Sequence, residues 1–555
     1  MHLKVDNPAY YNALFKNLLL GAALLVGLAA SGCDSAPSEP KPFIVLLDSS
    51  PKGLDPRFAT SDASAKLVGL LHAGLLTSDT QSGEPKLDLA ASIEQPSPVR
   101  YEVALRDDIY FHDGEPVTSA DVEYTFMELG SELVNSPYSG TARRIKSFEV
   151  VDARHFTITL NEPFAAFLND LTMGIVPAHQ CAGHPSCPGK VIGAGPFKFV
   201  SQDADKAFLL ESFDKYYGGE PALERVLFKV VEDDNTRLLA MLGKSADLVQ
   251  NAVAPLMLPV LAEADRLQVK TAPSFKYTYL AFNLEHPILK NPKVRQAIAH
   301  GIDRQAIIEY KFKGLARLST GMLSPGHWAY EGDVETYDYD IELAKKLLDE
   351  AGYPDPDGDG PQPRFKLEFK VSANKFRKSL VQLMAHQLAR IGIDVTVRSY
   401  EWGTFYSDIK SRNFAMTTMQ WPSVLDPGLY AWIFHSKNIP SPENRSAGAN
   451  RGAYSNPRVD ALLERGEHET DVEKRKAIYA EVQQILARDL PYISLWHEDN
   501  IAVTSVETRG YFMTPNARFE GLKKTRRAAA PGEDLEVPTL AEQPTDFQEI
   551  QKVIP

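Results

Sequence analysis

Two histidines and two cysteines fall within nine residues, His179-Gln180-Cys181-Ala182-Gly183-His184-Pro185-Ser186-Cys187. Four such side chains could build a tetrahedral metal site, because thiolate and imidazole are the ordinary ligands of zinc. Cys181 and Cys187 are also close enough in sequence to close a small disulfide loop, which forms wherever a chain meets oxidising conditions. The disulfide is the first expectation; a metal site and free thiols are the alternatives. The run Asp355-Pro356-Asp357-Gly358-Asp359-Gly360 copies the opening of a calcium loop. The bidentate acid of such a loop would fall on Lys366, so a turn is expected instead. The chain has no Walker-type phosphate loop, three-glycine dinucleotide turn, Gly-x-Ser-x-Gly elbow or His-Glu-x-x-His helix. With no nucleophile and base to nominate, the expectation is a protein that is not an enzyme and carries neither metal nor cofactor.

The third cysteine, Cys33, has a different setting. Lys4 and Lys16 precede an apolar run over residues 18–30, which is too short to span a bilayer comfortably and fits the core of a secretory signal. It ends in Ala30-Ser31-Gly32-Cys33, similar to the lipobox in which the cysteine becomes the lipidated first residue. Asp34 follows, resembling the signal that keeps such lipoproteins on the inner membrane. Residues 1–32 are therefore expected to be a lipoprotein signal peptide, and residues 33–42, rich in Pro and Ser, a tether. Residues 526–555 are proline-rich and mostly acidic and are expected to be disordered.

The positioning elements lie between these ends. A chain of 555 residues is too long for one core, so two or three domains are expected. Acids outnumber bases 73 to 59, for a formal charge of −14, which argues against nucleic acid, since phosphate binding needs a basic face. Period-two alternation over residues 365–371, helical spacing at Leu380, Leu383, Met384, Leu388 and Ile391, then alternation again over 393–397, predict a strand–helix–strand unit with a parallel crossover. Gly392 stands where the helix cap belongs. Thr118 with Asp121, Asn291 with Pro292, and Thr470 with Glu473 mark helix starts.

From residue 43 to about residue 509 the chain resembles the extracytoplasmic solute-binding proteins of peptide-type ABC transporters, the family 5 oligopeptide- and dipeptide-binding relatives. The resemblance rests on Leu54-Asp55-Pro56, on Leu105-Arg106 with Ile109 and Phe111-His112-Asp113-Gly114, and on Ile192 to Phe197. Further on it rests on Tyr279 to Asn283 before Val294-Arg295-Gln296-Ala297-Ile298, and on Tyr454 to Asp460. It implies an α/β, two-lobed periplasmic-binding-protein fold, type II-like, with an extra inserted subdomain. The first lobe would take residues 43–80, 188–274 and 495–525, the inserted subdomain 81–187, and the second lobe 275–494. It further implies a periplasmic monomer held to a membrane by a lipid. Two lobes would close on a peptide or peptide-like ligand and present it to ABC transporter permease subunits. A sugar, opine, metal chelate or peptide antibiotic is the alternative ligand. A tethered hydrolase and a chaperone-like binder rank below both.

In peptide receptors of this family an aspartate three residues after a tryptophan pairs with the peptide amine. In Trp421-Pro422-Ser423-Val424-Leu425-Asp426-Pro427 that position is Val424. Either Asp426 takes over the role or the ligand lacks a free amine there. The expected pocket wall is Tyr279, Asn283, Trp402, Trp421, Asp426 and Asn450. Aromatics would supply adaptable contact area and the asparagines would bond to peptide backbone. Arg445, Asn450 and Arg451 are candidates for a ligand carboxylate. Lobe core is the competing role of both tryptophans.

Overall fold

Leu367, Phe369 and Val371 turn one face of the strand Phe365–Ser372 inward, and the helix Lys375–Ala389 returns across it on Leu380, Val381, Met384 and Leu388. The next strand, Ile393–Tyr400, lies parallel to the first, in register from Phe365 opposite Ile393 to Ser372 opposite Tyr400. Gly392 makes the turn between helix and strand at φ +81°, a conformation that strains any L side chain. This unit is the one the alternation predicts. The computed structural model that contains it describes residues 41–79, 83–203, 207–358, 360–441 and 448–528. Cys33, Asp34, Asp359, Arg445 and the tail from residue 529 lie outside the described residues.

The helix starts follow the capping signals with one shift. Thr118 and Asp121 form the reciprocal capping box of Ser119–Glu128. Asn291 accepts from the Lys293 amide at 3.0 Å with Pro292 opening its helix. Val472–Asp489 is capped by Asp471, which accepts from Lys474 N–H at 3.0 Å, rather than by Thr470. A carboxylate at the positive helix end outcompetes a hydroxyl one residue earlier.

Two large mixed sheets organise the described chain. The first has seven strands in the order Leu267–Ala272, Asn500–Ser505, Leu248–Gln250, Phe43–Leu47, Arg225–Val230, Ala207–Ser212, Phe197–Gln202. The second has six, in the order Ala316–Leu318, Tyr492–Glu498, Tyr277–Phe282, Met416–Trp421, Phe365–Ser372, Ile393–Tyr400. Each sheet buries apolar residues on both faces. Around the first, one cluster holds Val45, Phe208 and Phe228 and another holds Val249, Leu261 and Val503. Around the second, one holds Phe282, Ile298 and Met384 and another Tyr279, Val424 and Tyr479. Two sheets with four apolar faces require two cores, and these are the two lobes of the α/β fold.

A third, four-stranded antiparallel sheet runs Ala90–Ser97, Arg100–Leu105, His155–Leu160, Ile145–Val150. The helix Ser119–Glu128 covers it through Val122 and Phe126. Phe111 to Gly114 is a tight turn: Gly114 N–H donates to Phe111 O at 2.9 Å with φ +93°. His112 Nε2 meets Gly195 O at 3.0 Å, so the most recognisable stretch of the sequence ties this sheet to the first lobe. Gly193 and Gly195 serve close approach, since a Cβ on either would fall within 2.4 Å of the Leu70 or Leu71 carbonyl oxygen. Cys181 and Cys187 are joined in a disulfide. His179 Nε2–H donates to Asp113 Oδ2 at 2.8 Å. Among the described residues no cluster of three or more His, Cys, Asp and Glu could hold a metal ion. No described helix is long and apolar enough to cross a membrane.

The chain passes between the two large sheets at two places, residues 273–276 and Asp499. The strand Tyr492–Glu498 belongs wholly to the second sheet, so the exchange falls four residues beyond the boundary expected at 495. Ordered pairing also reaches past residue 525, where Arg526–Arg527 pairs with Thr508–Arg509.

Candidate binding cleft and hinge

The two crossings are bonded to each other. The Ser274 hydroxyl donates to the Glu498 carbonyl and accepts from Lys276 N–H at 3.1 Å. Phe275 N–H donates to Pro515 O at 3.1 Å on the first lobe, while Phe275 O accepts from Val424 N–H at 3.0 Å on the second. A cluster of charge sits on this hinge. Arg377 pairs with Glu498 at 3.1 Å, Thr278 donates to the same carboxylate at 3.1 Å, and Gln420 donates to Thr278 at 3.2 Å. Burial alone would raise the Glu498 carboxyl, but Arg377 and then Lys276 outweigh it and hold it below its usual value. The Lys276 ammonium is pushed down to about 8 by burial, with Lys66 and Arg377 adding to the effect and Glu498 and Asp62 opposing it. Lys66 and Asp62 lie on the helix Asp62–Leu71, so both lobes contribute charge to this seam. Arg377 Nη1 is closed off from solvent with no hydrogen-bond partner.

The segment Gln420 to Asp426 runs from this hinge into a cleft of about 1300 Å³ between the four-stranded subdomain and the second lobe. Phe164, Asn169 and Asp170 line one wall; Ser423, Leu425 and Trp432 line the other. The walls touch at three points. Ala165 N–H donates to Glu467 O at 2.9 Å, His468 Nδ1 to Pro163 O at 2.7 Å, and Asn169 Nδ2 to Asp426 Oδ2 at 3.2 Å.

The residues expected to bind ligand fare differently from one another. Asp426 is at the cleft, but its carboxylate is spent on a bidentate pair with Arg475, at 2.9 and 2.6 Å, and on the Gly428 amide at 2.7 Å. It is the anchor of a loop and has no lone charge to offer an amine. Val424, at the family's amine position, is 1 % exposed in the second lobe's core. Asn450 donates to His435 O and Tyr454 O and accepts from Tyr454 N–H, so its amide is fully used. Asn283 likewise donates to Arg412 O and Phe414 O at 3.1 Å. Both asparagines therefore fasten loops instead of reading a peptide backbone. Tyr279 is buried and stacked face to face on Tyr492 at 4.4 Å. Trp402 stands 55 % exposed on its own helix, stacked on Tyr406, which also takes the Arg451 guanidinium. Of the six, Trp421 keeps an unused group: its Nε1–H is out of solvent and has no acceptor.

Asp170, Lys276, Arg377 and Arg475 escape sequence reasoning. No spacing links Arg475 to Asp426 across 49 residues, or Asn169 to Asp426 across 257. The one local hint is at Lys276, a cation set directly before a wholly buried strand.

A family model described as bacterial extracellular solute-binding proteins, family 5 Middle, matches residues 84–441. The chain belongs to that family. This solute-binding protein is 27 % identical to oligopeptide-binding protein AppA of Bacillus subtilis over 487 residues, 84 % of this chain and 88 % of the relative. It is 29 % identical to heme-binding protein A of Haemophilus influenzae over 395 residues, 67 % and 68 % of the two chains. The solved structure of Bacillus subtilis AppA in complex with a nonapeptide superposes with a TM-score of 0.75 at 26 % identity, covering 88 % of this chain and 99 % of that one. Proteins of this family bind solutes for transport and are not enzymes.

Proposed function

We propose that this solute-binding protein captures a peptide or peptide-like solute between its lobes and hands it to the permease of an ABC transporter. The reading takes residues 1–32 as a signal peptide and Cys33 as the lipidated residue that holds a monomeric receptor to the outer face of the inner membrane. The observation that carries it is the paired hinge at 273–276 and Asp499. Two short crossings, bonded to each other, let two separately cored lobes move as bodies, and a membrane partner can read that motion. For the solute to drive closure, its binding energy must favour the closed arrangement over the open one. The 1300 Å³ cleft is ample for several residues of peptide. Likeness to the nonapeptide-binding AppA supports a peptide guest.

A second reading, a non-peptide guest, is favoured by the buried Val424 and the occupied Asp426, which remove the amine-binding carboxylate of the family's peptide receptors. The heme-binding relative makes such a change of guest reasonable. Mass spectrometry of small molecules released from the purified receptor decides between them. A ladder of peptides supports the first reading. One defined non-peptide compound replaces it with the second, and a chemically altered guest would overturn both.

A further inference from the structure

We propose that residues 533–540 of the tail, Glu533-Asp534-Leu535-Glu536-Val537-Pro538-Thr539-Leu540, dock on the first lobe beside the point where the tail leaves it. Their carboxylates would meet a cluster of four unpaired cations, and their apolar side chains would cover Leu239 and Val260.

The cations gather around Val506. Val506 N–H donates to Arg266 O at 2.9 Å, and the Arg509 guanidinium donates to Val506 O. Arg526 stands opposite Arg509 in the antiparallel pair of short strands. Lys270 feels the same site: burial first, and then the charge of Arg509, lower its ammonium. Arg527 pairs with Asp247 at 2.7 Å, but Arg266, Lys270, Arg509 and Arg526 have no carboxylate partner among the described residues. Asp265 and Glu507, acids adjacent to the cluster in sequence, are exposed and form no ion pair. On a chain of formal charge −14, four uncompensated cations in one place repel each other and attract an anion.

Apolar surface ends at the same place. The helices Asp234–Leu242 and Leu258–Ala262 share one core, where Met241, Leu258 and Leu261 pack with Val249, Val269 and Val503 of three adjacent strands. Each helix leads into a strand, Leu248–Gln250 or Leu267–Ala272, and both strands run antiparallel to Asn500–Ser505. Both helices therefore finish at the end of the sheet where Asn500–Ser505 runs out into Val506. Leu239 is 65 % exposed and Val260 50 % exposed, each within a turn of its helix's end.

The tail starts here too. Arg527 Nη2 donates to Asp247 Oδ2 at 2.7 Å and to Pro42 O at 2.9 Å, and Ala528 N–H donates to Glu507 O at 2.8 Å. Four residues later come three acids, Glu533, Asp534 and Glu536, interleaved with Leu535, Val537 and Leu540. At about 3.3–3.6 Å per residue, the chain from 529 to 540 can span roughly 40 Å. The helix Asp234–Leu242 is only about 13 Å long, so the segment reaches both the cations and the apolar side chains. So short a connection gives an effective concentration on the order of millimolar, and a weak contact suffices to hold it.

Hydrogen exchange of the full chain, read by mass spectrometry at low protein concentration, tests the contact. Amides of 533–540 should exchange about tenfold more slowly than in an unstructured chain of that sequence. Raising sodium chloride from about 0.01 to about 1 M should remove most of that protection, because the contact is largely electrostatic and exposed. Arg266→Gln combined with Arg526→Gln, and separately Leu239→Ser, should each bring exchange to within about twofold of the unprotected rate. Circular dichroism confirms that each variant is folded. Unprotected exchange of 533–540 in the wild type, or protection that survives either folded variant, overturns the inference. Protection that fades on dilution places the segment on a second copy and overturns it equally. Retention of guest plays no part in these readings, so the transport reading stands or falls separately.

Discussion

A single carboxylate shows how much the setting of a residue matters. Asp426 is the acid nearest in sequence to the family's amine partner, yet it is bonded twice to Arg475, and both side chains are largely buried. Removing one partner of such a pair strands the other, at a cost of about 3–5 kcal/mol. Asp426→Asn is therefore expected to lower the melting temperature clearly, with any loss of affinity following from loosening of the loop; a variant that melts like wild type but no longer binds would return Asp426 to the ligand. Asp170 behaves in the opposite sense. Its folded-state value of about 6 stands above the unfolded 3.8, so what it contributes to stability is intact below pH 3.8 and is lost as pH rises through 6. At pH 7.5 the charged group weakens the fold, by on the order of 3 kcal/mol. Thermal melts of ligand-free Asp170→Asn should exceed wild type at pH 7.5 and coincide with it near pH 3.5.

Elements were far more legible in the sequence than the contacts between them. The unit from Phe365 to Tyr400 could be read off because alternation and helical spacing are local properties of the backbone geometry. The caps at Thr118 and Asn291 were legible for the same reason. The roles of Asn283 and Asn450 are not legible in sequence, because an amide looks identical there whether it reads a ligand or fastens a loop; only the fold shows Asn450 enclosed by His435 and Tyr454. The hinge elements carry their own prediction. Lys276, pushed down to about 8 from 10.5, contributes stability above pH 10.5 that is lost as pH falls through 8. Chemical denaturation of wild type should therefore show a gain between pH 7.5 and 9.5 that is smaller in Lys276→Met. Equal gains in the two proteins would mean that Lys276 keeps its proton throughout.

At the scale of the whole molecule, the contacts across the cleft are the ones that opening must break. Ala165 N–H reaches Glu467 O, and His468 reaches Pro163 O, between bodies that share no sheet. Hydrogen exchange at the Ala165 amide should slow when the guest binds, and His468→Ala should speed it in the ligand-free receptor. Exchange at Ala165 that ignores the guest would place the moving boundary elsewhere. Trp421→Ala, at the end of the strand that leads from the hinge towards the cleft, should weaken retention of guest and also lower the melting temperature, because its ring packs on the second lobe's core.

The seven-stranded sheet has one further consequence. Its strand Asn500–Ser505 lies between Leu248–Gln250 and Leu267–Ala272, bonded to both. A ribosome delivers that strand only after all of the six-stranded sheet has been made. The later-encoded body can thus mature while the earlier one waits with a slot open in its middle. A premature stop near residue 499 should yield a half-finished protein whose second body is sound and whose first is prey to proteases.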